Sequence, residues 1–286
     1  MSDHQSAPPS GGHCRLAASL ISFAGFSIIV VAVILDGRTT LFDRTVFGFA
    51  SLVRSTPVTL VARGVTTLGA FPVVVGVAVL AALMLWVRTR DLVKPAVLLS
   101  SVAVTGGIVY LLKIAVSRPR PPIATLIGSP SLDFSFPSGH TTDGTTVWAL
   151  GAVLLAMTML RTVHKLLMIT AAGVVALLVG LSRIYLGYHW ATDVLAGWLL
   201  AAAVVFAASY LSQLWSISSS VQIDTAAEAV DPRLSGHDPR AIGPVRSGAD
   251  LVRVDVADPD AARTGTIPAG PRRRPLHHHE MRLRRE

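Results

Sequence analysis

Residues 16–35 read LAASLISFAGFSIIVVAVIL, a run without a single Asp, Glu, Lys or Arg. At 1.5 Å per residue, a helix of that length covers the ~30 Å hydrocarbon layer of a bilayer. Four more runs lack all four charged types, at 64–87, 95–112, 144–160 and 166–182, and a sixth stays apolar from beyond Asp193 to about Trp215. Backbone polar groups in lipid must be satisfied within their own segment, so runs of this length read as helices. The predicted fold is therefore all-α, a polytopic bundle of six transmembrane helices. The first run exceeds the core of a secretory signal and precedes no small-x-small cleavage site, which makes it a retained span. Pro72 marks either the start of the second span or a kink within it.

Composition agrees. Of 286 residues, 51% are hydrophobic and 15% charged, and the mean hydropathy is +0.57, which excludes an ordinary soluble enzyme. The net charge of +8 is not a nucleic-acid signal. Residues 1–215 hold 14 Lys and Arg against 7 Asp and Glu, whereas 216–286 hold 11 against 10, so the surplus belongs to the membrane part. The single cysteine, Cys14, excludes an intrachain disulfide framework and a cysteine-rich zinc site. Three segments follow: a short N-terminus at 1–15, a six-span body at 16–215 and a disordered tail at 216–286, rich in Ser, Asp, Pro, Gly and Arg. The Arg-rich end of the tail suits anionic headgroups or plain solvent. His277, His278 and His279 are adjacent in this segment and define no metal geometry.

An even number of spans puts both termini on one side. Arg15, Arg88, Arg90, Lys94, Arg161 and Lys165 fall on that side, and Arg38, Arg44, Arg54 and Arg63 on the other. The bias places the termini in the cytoplasm of a multi-pass plasma-membrane protein. Six alternating spans also bring the end of span 3, the start of span 4, the end of span 5 and the start of span 6 to one face, predicted to look toward the periplasm or exterior. That face collects Lys113, Arg118 and Arg120, then Pro137-Ser138-Gly139-His140, then Ser182-Arg183, then His189 and Asp193. Ionisable groups at a membrane edge are costly, and a cluster drawn from separate hairpin ends points to one shared pocket.

The residue types specify its chemistry. Lys113, Arg120 and Arg183 are cationic donors with few carboxylates near them in sequence, which suits a phosphate dianion. Ser138 and Gly139 precede a helix and offer a hydroxyl and backbone N–H groups to the same anion. His189 and Asp193 stand at i and i+4, so the carboxylate can hold one imidazole nitrogen protonated and leave the other to attack. His140 is placed to protonate a leaving oxygen and then to activate water. A two-metal phosphatase needs several convergent carboxylates, and Asp133, Asp143 and Asp193 are too scattered for that. No metal and no cofactor is expected. Asp133 and Asp143 read as loop and helix-start residues, and Arg118 as a cation snorkelling to headgroups.

These three segments together, Lys113-x6-Arg120-Pro121, Pro137-Ser138-Gly139-His140 and Ser182-Arg183-x5-His189-x3-Asp193, resemble the three-part signature of the type 2 phosphatidic acid phosphatase family, which shares its site with vanadium haloperoxidases. The resemblance spans about residues 16–215. It implies Lys113, Arg120, Arg183, Ser138 and Gly139 on phosphate, His140 as acid, His189 as nucleophile and Asp193 as its partner. The implied activity is metal-independent hydrolysis of a lipid phosphomonoester or diphosphate, with isoprenyl diphosphates such as undecaprenyl diphosphate and phosphatidic-acid-like lipids as candidates. A phosphotransferase, with an alcohol replacing water at the phosphohistidine, shares every motif. A non-catalytic lipid-binding scaffold would be expected to lose His189 or His140, and both are present. The sequence leaves the oligomeric state open.

Overall fold

The computed structural model describes residues 10–36 and 39–230. Within them the chain is all-α: α1 Ser10–Leu35, α2 Leu41–Leu52, α3 Thr56–Thr66, α4 Phe71–Thr89, α5 Val93–Val116, α6 Gly139–Thr145, α7 Gly151–Ala156, α8 Thr162–Tyr185 and α9 Ala191–Val230. Five helices among the described residues, α1, α4, α5, α8 and α9, are long and apolar enough to cross a membrane. The chain is a multi-pass membrane protein.

The count of six uniform spans is not reproduced. The run expected at 144–160 lies in α6 and α7, joined by a π-helical stretch, Thr146–Leu150, and ends at Ala156. Charge-free sequence shows what tolerates lipid, not how the ladder of hydrogen bonds is wound. Pro72 proves to be a start: it occupies the first turn of α4, where its missing N–H has no partner to lose. The segment between the first two spans is also helical. Thr40 and Asp43 form a capping box at α2, and Pro57 sits in the first turn of α3.

At its far end α9 does not stop near Trp215 but runs to Val230. Residues 216–230 contain neither Gly nor Pro, and Pro232 is the first breaker. Residues 231–286, with the Arg-rich end and the three histidines, lie outside the described residues, as do Gly37 and Arg38.

Two buried clusters hold the body together. Leu85, Leu98, Leu150 and Leu154 pack with Val205 and Ala208, and Phe26, Val33, Val109 and Phe136 pack with Ala196 and Leu200. In lipid such contacts act by close packing rather than by expelling water, so small residues set how near two helices come. A Cβ on Gly180 would run into the Trp198 ring and lie 2.8 Å from Val194, which locks α8 against α9. One on Gly69 would lie 2.7 Å from the His140 carbonyl oxygen. Both close approaches border the polar face, where the ends of α5 and α8 and the starts of α6 and α9 meet.

Candidate active site

Helix α5 ends because Ser117 takes a left-handed conformation, φ 47°. The following segment, 117–138, supplies Arg118, Arg120, Asp133, Ser135 and Ser138. Lys113, in the last turn of α5, reaches over the loop: its Nζ donates to the Phe134 carbonyl and pairs with Asp133 Oδ2 at 2.9 Å. Arg120 donates from Nε to the Asp133 carbonyl at 2.9 Å, from Nη2 to Asp133 Oδ1 at 2.6 Å and from Nη1 to the Tyr188 carbonyl at 2.7 Å. The same Nη1 stands 3.3 Å from His189 Nε2.

His189 is 2% exposed and occupies the turn between α8 and α9. Its Nδ1 lies 3.4 Å from Asp193 Oδ2 and 3.4 Å from Ser135 Oγ, long contacts for a hydrogen bond. Asp193 is better fixed than its partner. Its Oδ2 accepts from Ser135 Oγ at 2.5 Å and from the Trp190 N–H at 2.9 Å, and its Oδ1 accepts from Arg118. The carboxylate thus favours a proton on Nδ1 and leaves Nε2 bare toward Arg120.

The other signature residues surround this pair. Ser138 is buried at the start of α6; its N–H donates to the Asp193 carbonyl at 3.1 Å, and its Oγ accepts from Thr141 at 2.9 Å. Its backbone N–H is therefore committed, while its hydroxyl proton and Gly139 stay at the helix start. Arg183 donates to Thr66 Oγ1 at 3.1 Å and lies 3.9 Å over the Tyr188 ring. Its Nε is buried with no partner among the described residues, a donor that an anion would satisfy. Burial, then the charges of Arg183, Arg120 and Lys113, lower the His140 pKa to about 3. Burial followed by Arg120, Arg183 and Lys113 also drives His189 well below the ordinary imidazole value. The structure accordingly brings Lys113, Arg120, Ser138, Gly139, His140, Arg183, His189 and Asp193 into one site. Beside it lies a cavity of about 390 Å³ lined by Arg120, Leu132, Asp133, Phe134 and Tyr188.

Two residues depart from the sequence reading. Arg118 does not snorkel: it is fully buried, with Nη1 on Asp193 Oδ1 and on Thr192 Oγ1 at 2.8 Å, and Nη2 on Asp43 Oδ2 at 2.5 Å. Two carboxylates and the Thr192 hydroxyl offset the desolvation that burial imposes on the guanidinium. Asp133 is not a bystander in its loop, because Lys113 and Arg120 both hold it.

Asp43, Ser135 and Thr192 are further members that pattern reading missed. Asp43 belongs to the Thr40-x-x-Asp43 capping signature, which marks a helix start and says nothing of partners 75 and 149 residues away. Its Oδ1 accepts from the Thr192 N–H at 2.8 Å.

Residues 94–216 match the family model of the PAP2 superfamily. The chain is 33% identical over 190 residues to phosphatidylglycerophosphatase B of Bacillus subtilis, across 65% of this chain and 91% of that one. It is 35% identical over 136 residues to undecaprenyl-diphosphatase of Sulfolobus acidocaldarius, covering 46% and 61% of the two chains. Among solved structures, the transmembrane PAP2 type phosphatidylglycerolphosphate phosphatase from Bacillus subtilis superposes with a TM-score of 0.62 at 27% identity, across 68% of this chain and 96% of that one.

Proposed function

The chain belongs to the PAP2 superfamily, and on that premise we propose that it hydrolyses a lipid phosphomonoester or diphosphate at the membrane edge through a phosphohistidine on His189. One observation carries the reading: His189 Nε2 faces the guanidinium of Arg120 at 3.3 Å while Nδ1 faces Asp193. The attacking nitrogen thus points at the cations that would hold phosphate.

In the first step the Nε2 lone pair bonds to phosphorus, and the bond from phosphorus to the leaving oxygen breaks. The leaving oxygen takes a proton from His140. In the second, His140 removes a proton from water, the resulting hydroxide attacks phosphorus, and the bond to Nε2 breaks to release inorganic phosphate. Asp193 holds Nδ1–H and stabilises the charge that develops on the ring. Lys113, Arg120 and Arg183, with the Ser138 hydroxyl and Gly139, stabilise the equatorial oxygens of the transition state.

Ligand-free, His140 is neutral at pH 7 because its pKa lies at about 3. A bound phosphate dianion offsets the charge of these cations and favours the protonated acid. The relatives named for phosphatidylglycerophosphate and undecaprenyl diphosphate support a lipid carrying a terminal phosphate. If the continuous helical stretch Gly139–Ala156 makes a sixth crossing, both termini share the cytoplasmic side and the site faces the periplasm or exterior.

The test is inorganic phosphate release by the detergent-purified protein, with EDTA present, across a panel of lipid phosphates. Release by the parent and its loss in His189→Ala are expected. With His140→Ala, a brief exposure to a labelled lipid diphosphate, whose leaving phosphate can depart without a general acid, should leave acid-labile label on His189. Release that survives His189→Ala would overturn the mechanism.

A further inference from the structure

This inference rests on the reading of Lys113, Arg120 and Arg183 as the phosphate cradle. Two of those cations already share a carboxylate: Asp133 places Oδ2 2.9 Å from Lys113 Nζ and Oδ1 2.6 Å from Arg120 Nη2. The cation side chains are 12% and 16% exposed, whereas that of Asp133 is 53% exposed. The carboxylate therefore lies on the solvent side of the pair, in a loop where neighbouring Leu132 projects fully and Gly128 adopts φ +146°. Among the described residues its side chain is held by these two cations alone. Arg120 is also the cation next to His189 Nε2, so an anion that reaches the nucleophile must take donors that Asp133 holds.

We propose that Asp133 is a specificity-determining residue, an internal competitor that a dianionic phosphomonoester or diphosphate displaces and a monoanionic phosphodiester headgroup does not. Charge makes the selection. Exchanging the carboxylate for a phosphodiester swaps one negative charge for another and gives up two short ion pairs. Exchanging it for a phosphate dianion adds a full negative charge beside three cations in a partly desolvated site, where such charge counts most. Asp133 stays ionised throughout the physiological range. Burial alone would raise its pKa, but its bond to Lys113 and the charges of Lys113 and Arg120 hold it at about 2.

The device answers a problem set by the site's location. A bare cationic pocket at headgroup depth meets phosphodiester lipids in great excess over any substrate, and anionic headgroups are drawn to cations there. Asp133 keeps the cradle from being filled by them.

The experiment measures phosphate release from phosphatidic acid in mixed micelles, for the parent and Asp133→Asn, at increasing mole fractions of phosphatidylglycerol and, separately, with inorganic phosphate as inhibitor. Asp133→Asn should bind inorganic phosphate about tenfold more tightly, as expected for two edge ion pairs lost by the competitor. It should also become inhibited by phosphatidylglycerol at fractions that leave the parent unaffected. Asp133→Glu, which keeps the charge, should behave as the parent, and Asp133→Ser should repeat the asparagine result with an unrelated side chain.

Weaker phosphate inhibition in both charge-removing variants would make Asp133 part of the cradle's support and overturn the proposal. Equal sensitivity of parent and variants to phosphatidylglycerol would overturn it too, while leaving the hydrolase reading intact. If the parent releases no phosphate from any lipid phosphate, the hydrolase reading itself falls, and this proposal with it.

Discussion

Arg118 bridges Asp43 of α2 and Asp193 of α9, and all three side chains are fully buried. Removing one partner of a buried pair costs about 3–5 kcal/mol, because the other is left uncompensated. Asp43→Asn keeps an acceptor for Thr192 and leaves Arg118 with Asp193, so its cost should sit near the lower end, about 3 kcal/mol. Arg118→Met leaves two carboxylates facing each other without a cation, near the upper end at about 5 kcal/mol. In the double variant Asp43→Asn takes away one of the two carboxylates that Arg118→Met leaves without a cation, while Asp193 still lacks one. Its cost should therefore fall short of the sum by roughly 2–3 kcal/mol, the coupling expected of groups in one network.

Equilibrium unfolding of the four proteins in mixed micelles measures this cycle, and hydrolysis of a lipid phosphate on the same samples adds a catalytic readout. Because the network touches Asp193 and not the phosphate cations, kcat should drop roughly tenfold to hundredfold with KM little changed, less than the roughly 10⁴-fold cost of disabling an orienting carboxylate itself. Additivity within about 0.5 kcal/mol would refute the coupling. A rise in KM at constant kcat would place Arg118 on the substrate instead.

Other outcomes follow from the same coordinates. Asp193→Asn should lower kcat by up to about 10⁴-fold while the protein still binds inorganic phosphate, seen by paired turnover and calorimetric measurements. Phosphate binding at pH 7 should take up a proton as His140 rises from about 3, which calorimetry in buffers of different ionisation enthalpy detects; no proton uptake would remove His140 from the acid's role. In the ligand-free protein both site histidines are depressed, so between about pH 6.5 and 3 the unfolded chain binds more protons and stability should fall with acidification. Unfolding titrations that stay flat from pH 6.5 to 4 would contradict this. Gly180→Ala should cost about 1–3 kcal/mol by forcing α8 from Trp198 and Val194, measured by the same unfolding assay.

The membrane class and the site's composition were legible because each depends on residue type alone: lipid rejects charge, and a phosphate cradle needs cations and imidazoles at helix ends. What failed to show in sequence depends on geometry. The π stretch at Thr146–Leu150 has the same apolar letters as an α-helix. Arg118 and Arg120 are two positions apart with identical chemistry, yet Arg118 is fully buried between Asp43 and Asp193 while Arg120 reaches the exposed Asp133 and His189. Ser135 reads as a loop serine until Asp193 is seen beside it. Helix α9 ran past Trp215 because hydropathy marks where lipid ends and not where a helix must.

The residues matching the family model begin at 94, and all eight signature positions lie beyond that point. Asp43, the second carboxylate on Arg118 and the acceptor for the Thr192 N–H, lies far upstream of it in α2. A fragment starting at Lys94 would retain each signature side chain and still bury Arg118 and Thr192 without the acceptor that both donate to. The smallest autonomous unit of this enzyme is therefore larger than its recognisable motif region. Chimeras with relatives should exchange α2 together with the loop after α5, as a matched cassette.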